Sequence, residues 1–288
     1  MTSPFVRRRR LAAELRALRE HRGMTAGRLS QLIHQSRMKV SRLENAHIRP
    51  DLAEIIKILD VLDVTGDKWN QIVRIACDAA EKGWWDAYGD AMGPRQRLYA
   101  DIESGAKTIR EYHPSGMPGI LQTPEFTWAM IELAKAESQV PFVPERLVAA
   151  RLERRRAVLR TDGPVYEAVI DELALRRYAV PPEVMRAQLR HLIATTEQEP
   201  RVSIRVLPLQ PGPSGSLPPQ SPFYLFTFPD PTDPPMAVVE TVAADLVHTE
   251  SAEVSRYVRR YEHVLKAALT EDESRTLLAD AADPTGSP

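Results

Sequence analysis

The chain has 288 residues, 43% hydrophobic and 27% charged, with a formal net charge of −1. This composition gives room for two cores and excludes a fibrous or disordered chain, and no apolar run approaches the length of a membrane span. The single cysteine, Cys77, excludes an intramolecular disulfide and a cysteine-built metal site and fits a reducing cytoplasm, where the protein is expected. The near-neutral total hides a segregation. Residues 1–50 hold 12 Lys and Arg against 3 Asp and Glu, and the rest of the chain is net acidic, the pattern of a polyanion-binding end on an acidic body.

In chain order, the apolar spacing of Leu11, Leu15 and Leu18 predicts a helix over 8–22 that stops at Gly23. Arg7, Arg8, Arg9 and Arg10 stand at its start; the stretch after them is amphipathic and charged, unlike an export signal. Thr25 can cap a second helix through Leu32, with Leu29, Leu32 and Ile33 inward. Ser36 can cap a third over 37–45 with Val40 and Leu43 inward. A fourth opens at Pro50 and Asp51 and buries Ile55, Ile58, Leu59 and Leu62. A fifth runs over 67–82 and ends at Gly83. Residues 1–83 thus read as a five-helix domain, with a boundary before Trp84.

Beyond it, helices are expected at 95–113, 124–138 and 144–160, then a strand at 165–170 and a helix at 181–198. Short β-branched or aromatic runs at 202–207, 223–228 and 237–242 read as strands. The Pro-, Gly- and Ser-rich stretch 208–222 reads as a mobile loop, helices return at 250–268 and 271–280, and 281–288 reads as a disordered tail. The fold class is mainly α with an α+β C-terminal part carrying a small antiparallel sheet. Residues 84–280 form the expected regulatory and dimerisation domain.

Two short amphipathic helices around residues 24–44 make a helix-turn-helix pattern. The second turns Arg37, Met38, Lys39, Ser41 and Arg42 outward, and a helix so furnished can enter the major groove, where Arg can bind guanine O6 and N7 with two hydrogen bonds. This segment resembles the phage lambda/Cro-type repressors, the XRE family, over residues 8–65. The likeness rests on 15–19, Gly23, Met24 and Thr25, 29–32, 40–44 and Pro50. The resemblance implies base contacts from Arg37, Met38 and Arg42 and phosphate contacts from Thr25, Ser36, Lys39 and Asn45, to which Arg28 and Ser41 are added. It also implies a structural pair between Arg19 and Glu44. Where that family usually has Gly in the turn, this chain has His34 or Gln35; where it often has Gln after the capping Thr, this chain has Ala26. Arg7 to Arg10 read either as an arm on DNA or as a solvated helix start.

From Trp84 to Leu278 the chain resembles the C-terminal region, of unknown function, found in actinobacterial (Streptomyces-type) XRE regulators. The marks are Trp84, Trp85, Tyr88, Tyr99, Ile109 to Tyr112, Met117 to Thr123, Arg151, Arg154, Arg155, 171–177, 188–192 and 202–208. Such proteins resemble regulators of development and secondary metabolism. The resemblance implies cytoplasmic binding to double-stranded DNA, a homodimer and a small partner protein encoded nearby; it supplies no ligand. Trp84, Trp85, Tyr88 and Tyr99 could line an effector pocket or pack the domain junction, the second reading being preferred. The turn Met117 to Thr123 reads as structural, and Arg151, Arg154, Arg155 and Arg156 as a solvated, ion-paired face.

No catalytic constellation stands out. Asp171 and Glu172 in a strand would point to opposite faces, Glu172 is expected to cap or to pair with Arg176 or Arg177, His113 reads as structural and Cys77 as a core thiol. The expectation is a regulator, not an enzyme, without cofactor or metal, whose second domain dimerises and senses a small molecule or binds a small partner protein.

Overall fold

Ser3 opens the first helix: its hydroxyl accepts the amide hydrogen of Val6 at 3.2 Å, which starts α1 (Pro4–His21) four residues before the expected position. The computed structural model describes residues 2–137, 143–177, 180–210, 219–242 and 244–283 and divides into two units. In the first, α2 (Ala26–Leu32), α3 (Arg37–Glu44) and α4 (Leu52–Val61) begin at Thr25, Ser36 and Asp51, each of whose side chains accepts an amide hydrogen of the first turn. α5 (Gly66–Ala80) follows. Leu11, Leu15, Leu29, Ile33, Val40, Leu43, Ile55, Leu59 and Ile72 form one core. Leu32, expected inward, is exposed, because Leu29 and Ile33, one turn apart, already fill that face. Cys77 is exposed too: α5 turns Ile72, Ile75, Ala76 and Ala79 inward, which leaves position 77 on the outer side.

Four helices of this unit end in one way. Gly23, His34, Ala46 and Asp63 have φ of 61°, 54°, 58° and 50°. At each, that residue's amide donates to the carbonyl three residues back and the next amide to the carbonyl five residues before it, as in Gly23 to Glu20 and Met24 to Arg19. The unit is not continuous in sequence. It includes Arg97–Gly105, the end of α6 (Gly93–Ser104), and Pro229–Pro234. A Cβ on Gly105 would lie 2.3 Å from the Ser3 nitrogen, so only glycine permits this approach.

The second unit is built on one sheet of β1 (Thr108–His113), β2 (Val165–Asp171), β3 (Val202–Leu207), β4 (Phe223–Thr227), β5 (Met236–Val239) and β6 (Leu246–His248). The order is β3-β2-β1-β4-β5-β6. The sheet is mixed, which corrects the antiparallel expectation: β1–β2 and β2–β3 are parallel, the remaining pairs antiparallel. The reason lies in β1, which forms where the sequence pattern predicts the end of a helix over 95–113. Between β1 and β2 run α7 (Pro124–Glu137) and α8 (Pro144–Val158), and between β2 and β3 run α9 (Glu172–Arg176) and α10 (Pro182–Gln198). Such helical crossovers return the chain in the same direction.

Tyr112, Val169, Leu225 and Val239 face α11 (Ser251–Ala267), which buries Val254, Tyr261 and Val264 on them. Outside β3, the chain leading into α12 (Glu271–Ala282) satisfies the edge: Leu269 N donates to Val206 O at 2.9 Å and Val206 N to Ser274 Oγ at 2.9 Å. Of the expected loop and tail, residues 211–218 and 284–288 lie outside the described residues, and 281–282 complete α12. Among the described residues no helix is long and apolar enough to cross a membrane.

Ala46→Gly is expected to stabilise the N-terminal unit by roughly 0.5–1 kcal/mol in urea unfolding, because the relief of a left-handed alanine (about 1–2 kcal/mol) exceeds the added chain entropy of glycine (about 0.5–1 kcal/mol).

Candidate nucleic-acid interface

The turn between α2 and α3 takes its left-handed residue at His34, where Gln35 N donates to Ser30 O at 2.9 Å. This sets α3 across α2. Val40, Leu43 and Glu44 are buried, while Arg37, Met38, Ser41, Arg42 and Asn45 are exposed, Met38 at 71%. At 3.6 residues per turn these five side chains fall within roughly 140° of the helix circumference, a single face. Thr25 Oγ1 accepts from Arg28 N at 3.1 Å and Ser36 Oγ from Lys39 N at 3.2 Å. Each hydroxyl keeps its own hydrogen to donate to a phosphate oxygen. Among the described residues the side chains of Arg28, Arg37 and Arg42 meet no carboxylate.

The neighbouring charges are neutralised inside the unit. Arg19 grips Glu44 as a fork, Nε to Oε1 at 2.7 Å and Nη2 to Oε2 at 2.9 Å, and Nη1 donates to Met24 O at 2.7 Å. This ties α1 to α3 and to the loop before α2. Lys39 pairs with Glu54 on α4, so its ammonium is already engaged. Two residues given no role in the sequence reading shape the site: Glu54, and Arg16, whose Nη2 donates to Glu44 O at 2.6 Å and to Asn45 Oδ1 at 2.9 Å. Arg16 lies one turn before Arg19 on α1, the only sequence signal that could have marked it. It fixes the carboxamide of Asn45, whose nitrogen donates to Ser41 O at 2.7 Å, and places a cation beside the C-terminal carbonyls of α3.

The four arginines of the N-terminal run are neither an arm nor a solvated start. They lie within α1. Arg10 Nη1 reaches Asp230 Oδ2 at 2.7 Å and Asp233 Oδ1 at 3.1 Å. Arg7 meets Asp78, Asp230 and Asp233 at 3.2–3.4 Å, and Arg8 meets Asp101 at 3.1 Å. Arg9 lies over the Phe5 ring at 5.2 Å, and burial lowers its pKa. Hydrogen bonds from the Thr232 hydroxyl and amide, then from Arg10, hold the Asp230 carboxyl well below the usual range. Burial pushes those of Asp233 and Asp101 up. Arg7 and Arg10 fall on the face α1 buries, where a guanidinium must be paired.

Residues 10–70 match a helix-turn-helix domain, and residues 96–280, well over half of the chain, match the domain of unknown function DUF5753. The chain belongs to the DUF5753 family. No curated protein and no solved structure matches it significantly.

Within the DUF5753 region the motif residues are structural anchors. Gln122 Nε2 donates to Met117 O at 2.9 Å, and Gln188 clamps the same turn through Leu121 O and Thr123 N, both at 2.7 Å. Arg151 and Arg154, expected on a solvated face, turn inward to Gln122 at 2.6 Å and Gln96 at 2.9 Å. Burial, with Arg154 nearby, lowers the pKa of Arg151 to about 10. His113 is buried against Glu111 at 2.7 Å, Asp171 caps α9 and Glu172 pairs with Arg176. Of the four aromatics considered as a pocket, Trp85 and Tyr99 are buried in the N-terminal unit. Trp85 lies where a Cβ on Gly83 would be, 2.2 Å from its ring, and Trp84 meets it edge-on at 5.9 Å. Tyr88 belongs to the other unit.

Glu44→Ala and Asp233→Ala each leave a buried guanidinium short of its carboxylate and are expected to cost about 3 kcal/mol in urea unfolding, read from the fluorescence of Trp69, Trp84 and Trp85. Arg22→Ala, which removes an exposed pair with Asp63, is expected to change the midpoint negligibly.

Proposed function

We propose that this protein is a sequence-specific transcriptional regulator of the XRE type, not an enzyme, that reads double-stranded DNA with α3. The observation that carries the reading is the contrast on that helix. Charges that serve the fold are paired, whereas Arg37 and Arg42 stand exposed on one face with Met38 and meet no carboxylate among the described residues. Arg37 and Arg42 suit guanine edges and Met38 suits a thymine methyl group. Ser41 and Asn45 of that face, with Thr25, Arg28 and Ser36 of the elements around it, suit phosphates, which supply affinity and register. Lys39 would reach a phosphate only by leaving Glu54. One such head buries little surface, so a homodimer on two half-sites about one helical turn apart is the arrangement proposed. The DUF5753 region then supplies dimerisation and response to a small molecule in an actinobacterial regulator.

A second reading, a small partner protein bound to that region, is favoured by the outer edge of the sheet. Among the described residues β6 pairs only with β5, and Leu246 at its start and Val242 before it are exposed, which suits addition of a partner strand.

Selection from random DNA with the full-length protein is expected to return an inverted repeat. Arg37→Ala and Arg42→Ala should each cost about 1–3 kcal/mol of binding and relax the preference at one position. Arg28→Ala should weaken all sequences alike and lower the salt slope by about one. Absence of any enriched sequence, or wild-type behaviour of both α3 variants, would overturn the reading.

A further inference from the structure

The C-terminal unit has an open groove of about 850 Å³ between α11 and the end of the sheet, a volume suited to a small organic molecule. Its floor is aromatic. Tyr257 stacks on His248 with ring centres 5.4 Å apart and an angle of 29°, and rests on Phe223 at 5.5 Å. His248 Nδ1 holds Glu253 Oε2 at 2.7 Å, which occupies the one carboxylate lining the groove among the described residues. The rim is basic: Arg256, Arg259, Arg260 and His263 follow at helical spacing along one side of α11.

Arg95, Arg110, Arg176, Arg190 and Arg275 of the same unit each meet a carboxylate. Arg256 and Arg259 meet none among the described residues. A pinned aromatic plate beside the guanidinium groups of Arg256 and Arg259 is a complementary surface for a ring that carries a negative charge, since guanidinium groups bind carboxylate, phosphate or sulfonate oxygens in pairs. Nucleic acid is the poorer occupant, because the chain outside residues 1–50 is net acidic and repels an extended polyanion, whereas a small anion meets the local arginines.

We propose that this groove binds a small organic anion with a flat conjugated ring, the ring over Tyr257 and the anionic group at Arg256 and Arg259. The proposal deepens the effector-sensing role above and rests on it for its biological meaning.

Binding is tested on the full chain with 8-anilinonaphthalene-1-sulfonate as probe, by calorimetry and by the thermal midpoint. N-phenyl-1-naphthylamine supplies the rings without the charge, and pyrophosphate the charge without a ring. The expected result is one site for the sulfonate, a raised midpoint because the native state is the one bound, and at least tenfold weaker binding of the other two. The double variant Arg256→Gln/Arg259→Gln should weaken the sulfonate at least tenfold with an unchanged ligand-free midpoint, while Arg186→Gln on α10 should leave it unaltered. Equal affinity for N-phenyl-1-naphthylamine or pyrophosphate, a lowered midpoint, or a double variant that binds like wild type would overturn the proposal. Any of these with DNA selection intact removes the groove alone. A failed DNA selection with sulfonate binding intact removes the regulatory reading and leaves the groove.

Discussion

A guanidinium cannot shed its proton inside a protein, so each arginine that α1 turns inward must be met by an acceptor. This requirement organises the N-terminal unit. Arg19 is answered by Glu44 from α3, which fixes the angle at which α3 stands. Arg16 is answered by the last carbonyl of α3 and by Asn45. Arg7, Arg8 and Arg10 are answered by Asp78, Asp101, Asp230 and Asp233, residues far apart in sequence that fold into one unit with α1. The two carboxylates facing Arg10 are held differently. Asp230 is stabilised as an anion by Thr232 and Arg10, whereas Asp233 is deeper and pays more desolvation.

The same accounting sharpens the electrostatic picture. The basic excess of residues 1–50 suggests a uniformly cationic head. In the fold much of that excess is cancelled internally, and what remains for a polyanion is concentrated on Arg28, Arg37 and Arg42, at and beside the exposed face of α3. So sparse a set of cations fits the proposed reading, in which preference comes from base edges more than from total charge.

What could be read from the chain alone divides along physical lines. The five N-terminal helices are legible because their caps and apolar spacing are local signals, whereas the left-handed turn at His34 is placed within two residues only by the family resemblance, which sets a glycine there. β1 was not legible: Thr108 to His113 follow a helix after only three residues, and they become a strand by pairing with β2 and β4, partners distant in sequence. Missing β1 also hid the parallel half of the sheet. Arg7 to Arg10 misled for a related reason, since a run of arginines carries no mark of the aspartates that will meet it more than two hundred residues later. Cys77 and Leu32 show the finer limit, that an apolar residue type does not say which side of its helix it occupies.

The discontinuity of the N-terminal unit bears on how such a protein can be rearranged in evolution. Its α1 is completed by residues 97–105 and 229–234, the latter carried on the connection between β4 and β5. A recombination event that spliced residues 1–83 onto another body would import a helix whose Arg8 and Arg10 had lost their carboxylates and whose Arg7 kept only Asp78. Change on the exposed face of α3 is therefore easier by point substitution than by shuffling whole heads.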